Sequence, residues 1–268
     1  MSLDPIAVSR RISSEYQRYL RSTFPIRDPE LARAFDHQLR EDQLTRGPLL
    51  EATPPYETGA TIRELVEQGV LSAGFLEFSE AALPLDRPLY AHQELAIRKA
   101  VSGRNLMIST GTGSGKTECF LIPVIDALLR ERESGSIEQP GVRALLLYPM
   151  NALANDQLKR LRSMLVDFPE ITFGRYTGDT LEKEVEAMED FRARHPGESR
   201  LPNELISREE INASPPRILI TNYAMLEYLL LRPSDSALFD GPTGEHWKFV
   251  ALDEIHVYGG SSGTEIGM

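Results

Sequence analysis

The sequence predicts an α/β fold: a parallel sheet with helices on both faces. Two observations carry this. From about residue 85 onward, short continuous apolar runs alternate with amphipathic stretches at helical spacing, the pattern of strands buried on both faces. The run "STGTGSGKTECF" (109–120) and the carboxylates closing "KFVALDE" (248–254) follow two of those runs. They sit where ligands of parallel sheets gather, at the C-terminal strand ends.

The elements follow in order. Residues 1–46 read as two helices, the first with Ile6, Ile12, Tyr16, Tyr19, Leu20 and Phe24 at near-helical spacing. The second opens on Asp28-Pro29-Glu30 as N-cap, first-turn proline and first-turn acid, with Leu31, Phe35 and Leu39 on one face. "GPLLEATPPYETG" (47–59) is a connection, "TIRELVEQG" a short helix closing at Gly69, and residues 70–87 a second connection. A soft boundary near residue 85 divides a mostly helical appendage (1–84) from the α/β domain (85–268). In the domain, strands are expected at 104–109, 142–149, 171–178, 217–221 and 248–254, with helices after the first four. The helix over 181–194 puts Leu181, Val185 and Met188 on one face, with its acidic residues a solvated face, and 195–216, with four prolines, is expected to run over the surface.

Composition narrows the class. At 41% hydrophobic and 26% charged residues the chain reads as soluble and globular. It lacks an apolar run of the ~18 residues that a membrane helix needs and an apolar signal-peptide core at its start, so a cytoplasmic protein is expected. The single Cys119 excludes an internal disulfide and suits a buried small side chain. A net charge of −11 argues against non-specific binding of nucleic acid, but not against a local basic or amide-lined track, because charge is screened within about 10 Å.

The glycine-rich run carries the strongest chemical signal. Gly111, Gly113 and Gly115 let the backbone curl so that its N–H groups face phosphate. A helix starting near Lys116 adds its positive end. Thr110, Gly111, Thr112, Gly113, Ser114, Gly115, Lys116 and Thr117 are the expected nucleotide-binding residues. Lys116 reaches the β- and γ-phosphates and Thr117 binds Mg²⁺ through its hydroxyl. Thr110 stands where the strict pattern has glycine. Asp253 is the second expected Mg²⁺ ligand, and Glu254 the residue that activates water against the γ-phosphate. Lys116, Asp253 and Glu254 are the expected catalytic set, with ATP and Mg²⁺ as cofactors. A ligand-free turn, and acids that merely cap a helix, are the bland alternatives.

"STGTGSGKT" followed by "LDEIH" resembles motifs I and II of superfamily 2 helicases of the DEAH/DExH type. "LYAHQ" (89–93) resembles the adenine-recognising glutamine motif, "YPMNALANDQ" (148–157) motif Ia, "YTGDT" (176–180) motif Ib and "ITNYAMLEY" (220–228) the next nucleic-acid-contacting motif. The wording is similar to large bacterial helicases, some of them in phage-defence systems. The resemblance implies a RecA-like P-loop domain over residues 85–268. It also implies that Gln93 reads adenine, that Asn151, Gly178, Thr221 and Asn222 lie along nucleic acid, and that His256 links motif II to its neighbours. Capping of their helices explains Asn151 and Asn222 as well as phosphate contact does. Tyr90 and His92 fit either beside adenine or in a hydrophobic staple. The implied partners are nucleic acid, DNA before RNA, a second RecA-like domain, and defence or repair proteins, with no membrane. The chain is expected to be an N-terminal fragment of a helicase or translocase, nearly inactive alone, with "GGSSGTEIGM" a loop and first helical turn. An ATP-driven protein-translocation motor and a non-motor nucleotide-dependent scaffold are the rival readings.

Overall fold

The computed structural model describes residues 4–41, 55–111, 113–139 and 141–258. The chain forms two compact units, 1–55 and 56–268. In the first, α1 (Pro5–Thr23) starts at the Asp4 cap, whose carboxylate accepts from the Ile6 and Ala7 amides. The second helix, α2 (Pro29–Glu41), starts at Asp28, which accepts from Glu30 and Leu31 as expected. Gln17 Nε2 donates to the Leu39 carbonyl and Arg21 pairs with Asp36 at 2.6 Å. The periodic face of α1 is nevertheless exposed, Ile12 by 60%.

The second unit begins well before residue 85. Thr58 bridges Tyr90, Gly59 N–H donates to the Leu89 carbonyl, and α3 (Ile62–Glu67) opens on a Thr61–Glu64 capping box. As expected, the chain turns at Gly69, with φ +71°. Ile62, Leu65, Leu71, Phe75, Phe78 and Leu83 enter the same core as the α/β domain, with Phe78 tilted on Phe168 at 4.4 Å. The soft boundary therefore falls inside a compact unit. A segment of short turns can fill a core without the periodicity that announces a helix or strand.

Beyond it run α4 (Ala91–Val101), α5 (Lys116–Ser134), β1 (Ala144–Tyr148), α6 (Asn151–Met164), β2 (Phe173–Tyr176), α7 (Glu184–Arg194), β3 (Glu204–Leu205), α8 (Arg208–Ala213), β4 (Ile218–Asn222), α9 (Tyr223–Leu231) and β5 (Phe249–Leu252). The strands form one sheet in the order β3-β2-β4-β1-β5, every pair parallel, with Leu146 opposite both Ile220 and Ala251. Buried and exposed residues do not alternate along β1: all five are buried, because helices cover both faces.

Three expectations are corrected. Residues 104–109 pair with no strand among the described residues, and Met107 is 85% exposed; an apolar run becomes a strand only through a partner its own sequence does not contain. The 195–216 segment is not a simple surface excursion. It supplies β3 and α8, and buried Asn203 reaches the carbonyls of Leu165, Phe168 and Ile171. Helix α7 buries Ala187 and Phe191, leaving Val185 72% exposed. Among the described residues no helix is long and apolar enough to cross a membrane.

Candidate nucleotide and nucleic-acid site

The phosphate loop joins the extended run to α5. Gly113 and Gly115 have φ of +75° and +70°, a region glycine enters without steric cost. Thr110 Oγ1 and Ser114 Oγ lie 2.6 Å apart, and Lys116 Nζ donates to the Thr110 carbonyl at 3.1 Å. The threonine in the strict glycine's place thus staples the loop. Thr112 lies outside the described residues. Beneath the loop, α5 presents the N-terminus of a 19-residue helix. Cys119 is buried in that helix, and burial, with Glu118 beside it, pushes its thiol up to about 11. It is inert packing, as the sequence suggests.

Helix α4 braces this loop. His92 Nε2 lies 2.9 Å from the Ser114 carbonyl, and Gln93 Nε2 donates to the Gly115 carbonyl at 2.9 Å. Gln93 Oε1 accepts from the Tyr90 amide at 2.8 Å, so both ends of the amide are engaged by the protein. Gln93 is buried, and in this arrangement one donor and one acceptor site of its amide are spent on the protein. Tyr90 and His92 stack at 5.7 Å, and Tyr56 packs on both at 5.1 and 5.5 Å. A Cβ added at Gly111 would come within 2.8 Å of the Tyr56 hydroxyl, so this aromatic cluster flanks the loop.

Asp253 and Glu254 follow β5. The Asp253 amide donates to the Leu147 carbonyl at 3.0 Å, and its Oδ1 accepts from the Glu254 amide at 3.0 Å. Burial pushes the Asp253 carboxyl up, helped by the charge of Glu254, while the Lys116 ammonium works in the opposite direction. Glu254 is the one non-glycine residue with positive φ, +50°, among the described residues. Such a conformation costs of order 1–3 kcal/mol and concentrates at functional sites. His256 pairs with Glu254 at 3.2 Å, but its side chain is 76% exposed. It links to no neighbouring motif among the described residues.

Three orphaned polar atoms surround this centre: Glu118 Oε2 and the hydroxyls of Tyr148 and Tyr258 are buried without hydrogen-bond partners. Burial raises both tyrosines, and the charge of Asp253 raises them further. Glu118 Oε1 meets Arg160 of α6 at 2.9 Å and Arg87 at 3.9 Å. Buried polar atoms without partners among the described residues, beside the Asp253 carboxylate, suit a cation and the phosphate it accompanies. Thr117 and Asp253 are the residues that would hold Mg²⁺, and the glycine loop with Lys116 the phosphates.

The remaining motif residues converge at the C-terminal ends of β1, β2 and β4. Asn222 caps α9, accepting from the Met225 amide at 2.8 Å, as expected. Its Nδ2 donates to Asn151 Oδ1 at 2.7 Å, and Asn151 Nδ2 donates to Asp179 at 2.9 Å. Asn151 itself is the first residue of α6 and caps nothing. Gly178 is exposed on the same loop. The Thr221 hydroxyl donates to the Tyr176 carbonyl at 2.6 Å and is fully buried, so this side chain joins β4 to β2.

A family pattern described as DEAD/DEAH box helicase matches residues 90–267. The chain belongs to that family. Its RecA-like sheet and P-loop are those of the helicase ATP-binding domain. Over 97% of its length it is 30% identical to Druantia protein DruE of Escherichia coli (strain UMEA 4076-1), of which it covers 19%. Over 67% it is 28% identical to ATP-dependent helicase HRQ1 of Saccharomyces cerevisiae, covering 14%. It spans less than a quarter of the length of these curated relatives. It also resembles the DUF1998 helicase MrfA solved with DNA and AMPPNP, at 28% identity and a TM-score of 0.44, over 67% of this chain and 21% of MrfA. In this helicase domain Tyr56, Glu118, Tyr148, Arg160, Asp179 and Tyr258 escape the sequence reading. For Asp179 a signal existed, since it lies in the quoted "YTGDT" run. Glu118 and Tyr148 also lie in quoted runs, "STGTGSGKTECF" and "YPMNALANDQ", whereas Tyr56, Arg160 and Tyr258 are recognisable only from their neighbours in space.

Proposed function

We propose that this chain is the nucleotide-binding part of an ATP-dependent helicase or translocase that moves along nucleic acid. The observation that carries the reading is one arrangement. Asp253 and Glu254 follow β5, where the charge of Lys116 from the phosphate loop reaches Asp253, and the Asn222–Asn151–Asp179 chain of hydrogen bonds joins the ends of β4, β1 and β2. One sheet thus supports both sites. Lys116 would hold the β- and γ-phosphates, Glu254 would take the proton of the attacking water, and Thr117 and Asp253 would hold Mg²⁺, which when bound would supply positive charge to the phosphate oxygens. The α6 and α9 N-termini offer backbone N–H groups to strand phosphates without lysines. That reconciles the track with a net charge of −11.

DNA is the favoured strand, because the motif wording resembles large bacterial helicases. The likeness to DruE and the resemblance to relatives in phage-defence systems favour a defence role over repair. No specific observation favours protein translocation or a silent scaffold. The test is calorimetry of Mg–ATP and Mg–ADP binding to the chain, with anisotropy of matched single-stranded DNA and RNA. Lys116→Ala is expected to weaken nucleotide binding at least tenfold, a loss of about 1.4 kcal/mol or more, while leaving DNA binding in place. Equal nucleotide affinity in variant and wild type would refute the reading.

A further inference from the structure

A cleft of about 260 Å³ lies between α6 and α7, over β2 and β3, away from the phosphate loop. Its walls are rich in cations: Lys159, Arg162, Arg175 and Arg194. Two of these are matched. Arg162 forms a bidentate pair with Glu204 at 2.7 Å, and Arg194 meets Asp190 at 2.9 Å. Arg175 differs. Among the described residues no carboxylate lies within ion-pair distance of it, and its hydrogen bond goes to the side-chain oxygen of Asn155. Burial depresses its pKa, against the opposing charge of Asp179. A guanidinium stays protonated in proteins, so this charge is held half-buried in full. Such a group is costly to keep without an anion. Lys159 adds a second cation whose contact with Asp156 is long, 4.0 Å, and exposed.

The cleft is continuous with the candidate nucleic-acid track. Asp179 lines it and also accepts from Asn151. Asn155, which holds Arg175, lies one turn along α6 from Asn151. The volume falls just below the ~300–1,000 Å³ of small-molecule sites and suits one nucleotide unit. Asp179 opposes an anion, but one of its oxygens is already engaged by Asn151.

We propose that this cleft receives a backbone phosphate of the bound nucleic-acid strand, with Arg175 as its principal ligand and Lys159 beside it. The proposal rests on the nucleic-acid reading and adds a contact outside the asparagine-lined track. Because Arg175 is held at a cost for binding, its loss trades affinity for stability.

The experiment compares the wild-type chain with Arg175→Met and Arg175→Lys. Anisotropy of a fluorescent oligothymidylate is followed over a range of KCl, and thermal unfolding is measured with and without inorganic phosphate. Arg175→Met is expected to bind about tenfold more weakly, with the slope of log Kobs against log[KCl] shallower by about 0.7, the value of one single-strand phosphate contact. Arg175→Lys should retain most of that slope, and the Tm of Arg175→Met should equal or exceed the wild-type value. Failure of the wild type to bind oligonucleotide overturns the nucleic-acid reading and this site with it. Normal wild-type binding with an unchanged slope in Arg175→Met overturns this site alone. A lower Tm with an unchanged slope makes Arg175 a structural partner of Asn155. A phosphate-induced rise in Tm that Arg175→Met abolishes, with the oligonucleotide slope unchanged, assigns the cleft to free phosphate and overturns the strand contact.

Discussion

Gln93 joins the Tyr90 amide to the Gly115 carbonyl, so its amide ties the start of α4 to the turn of the phosphate loop. Gly115 is left-handed there, and a Cβ at that residue would strike Gln93 Nε2. Loop shape and glutamine are therefore mutually fitted. A residue in this role supports phosphate binding whatever base is attached. Gln93→Ala is expected to weaken ATP and GTP by the same factor, roughly tenfold, because removing one partner of buried hydrogen bonds costs about 1–3 kcal/mol. Calorimetry with both nucleotides checks it, and a selective loss of ATP would return Gln93 to the adenine edge. The placement of Lys116 and Thr117 at the start of α5, and of Asp253 and Glu254 at the end of β5, was legible because adjacent residues spell it. The hydrogen bonds of Gln93 and Thr221 were not, because they depend on the direction of a side chain relative to a neighbour far along the chain. The positive φ of Glu254 belongs with the second group, since no neighbouring glycine announces it.

At the opposite end of the strands from the site, α5 and the sheet are locked by buried charge. Glu131 accepts from Arg143 at 2.8 Å and from Lys248 at 2.6 Å, and Arg143 is 1% exposed. Burial pushes the Glu131 carboxyl up, but the hydrogen bonds from Lys248 and Arg143 outweigh it and hold it below its ordinary value. Arg217 donates to the Ile137 carbonyl from the start of β4. These contacts fix the first residues of β1, β4 and β5 relative to the end of the helix that carries Lys116. Glu131→Leu leaves Arg143 buried with no countercharge, a loss of about 3–5 kcal/mol, and should lower Tm by roughly 10 °C. Glu131→Leu combined with Arg143→Leu should recover most of that loss. Thermal unfolding of the single and double variants decides it; an unchanged single variant would show that the network does not hold the sheet. The strands β1, β2, β4 and β5 were legible as continuous apolar runs between helices. The run at 104–109 looks the same but has no ladder partner among the described residues. Periodicity also assigned the wrong face to α7, because Phe191 is drawn into the core beneath the Arg162 guanidinium at 5.1 Å.

On the scale of the whole molecule, the question is what a domain with one nucleotide face can do. Phosphoryl transfer needs positive charge against the γ-phosphate in the transition state, and an arginine placed there contributes about 10³–10⁵ in rate. Arg160 and Arg87 approach the start of α5 beside the phosphate loop, and both are directed at Glu118. Glu118 follows the loop within the first turn of α5, while Arg160 belongs to α6, whose first residue is Asn151. That ion pair connects the two candidate sites and engages the Arg160 guanidinium, while the Arg87 contact with Glu118 is long, 3.9 Å, and exposed. The helicase resemblance places the missing charge on a second RecA-like domain, and closure of two domains is how nucleic acid stimulates hydrolysis in such motors. The chain alone is therefore expected to bind Mg–ATP, to hydrolyse it very slowly, and to show no stimulation by DNA or RNA. A chain that also carries the second domain should gain stimulated turnover, and Glu254→Gln in that chain should abolish turnover while leaving nucleotide affinity intact. Phosphate release by the 268-residue chain, measured with and without oligonucleotide, is the decisive measurement. Turnover that rises strongly with nucleic acid and depends on Glu254 would mean that this single domain supplies its own transition-state charge, and Arg160, released from Glu118, would then be the first residue to replace.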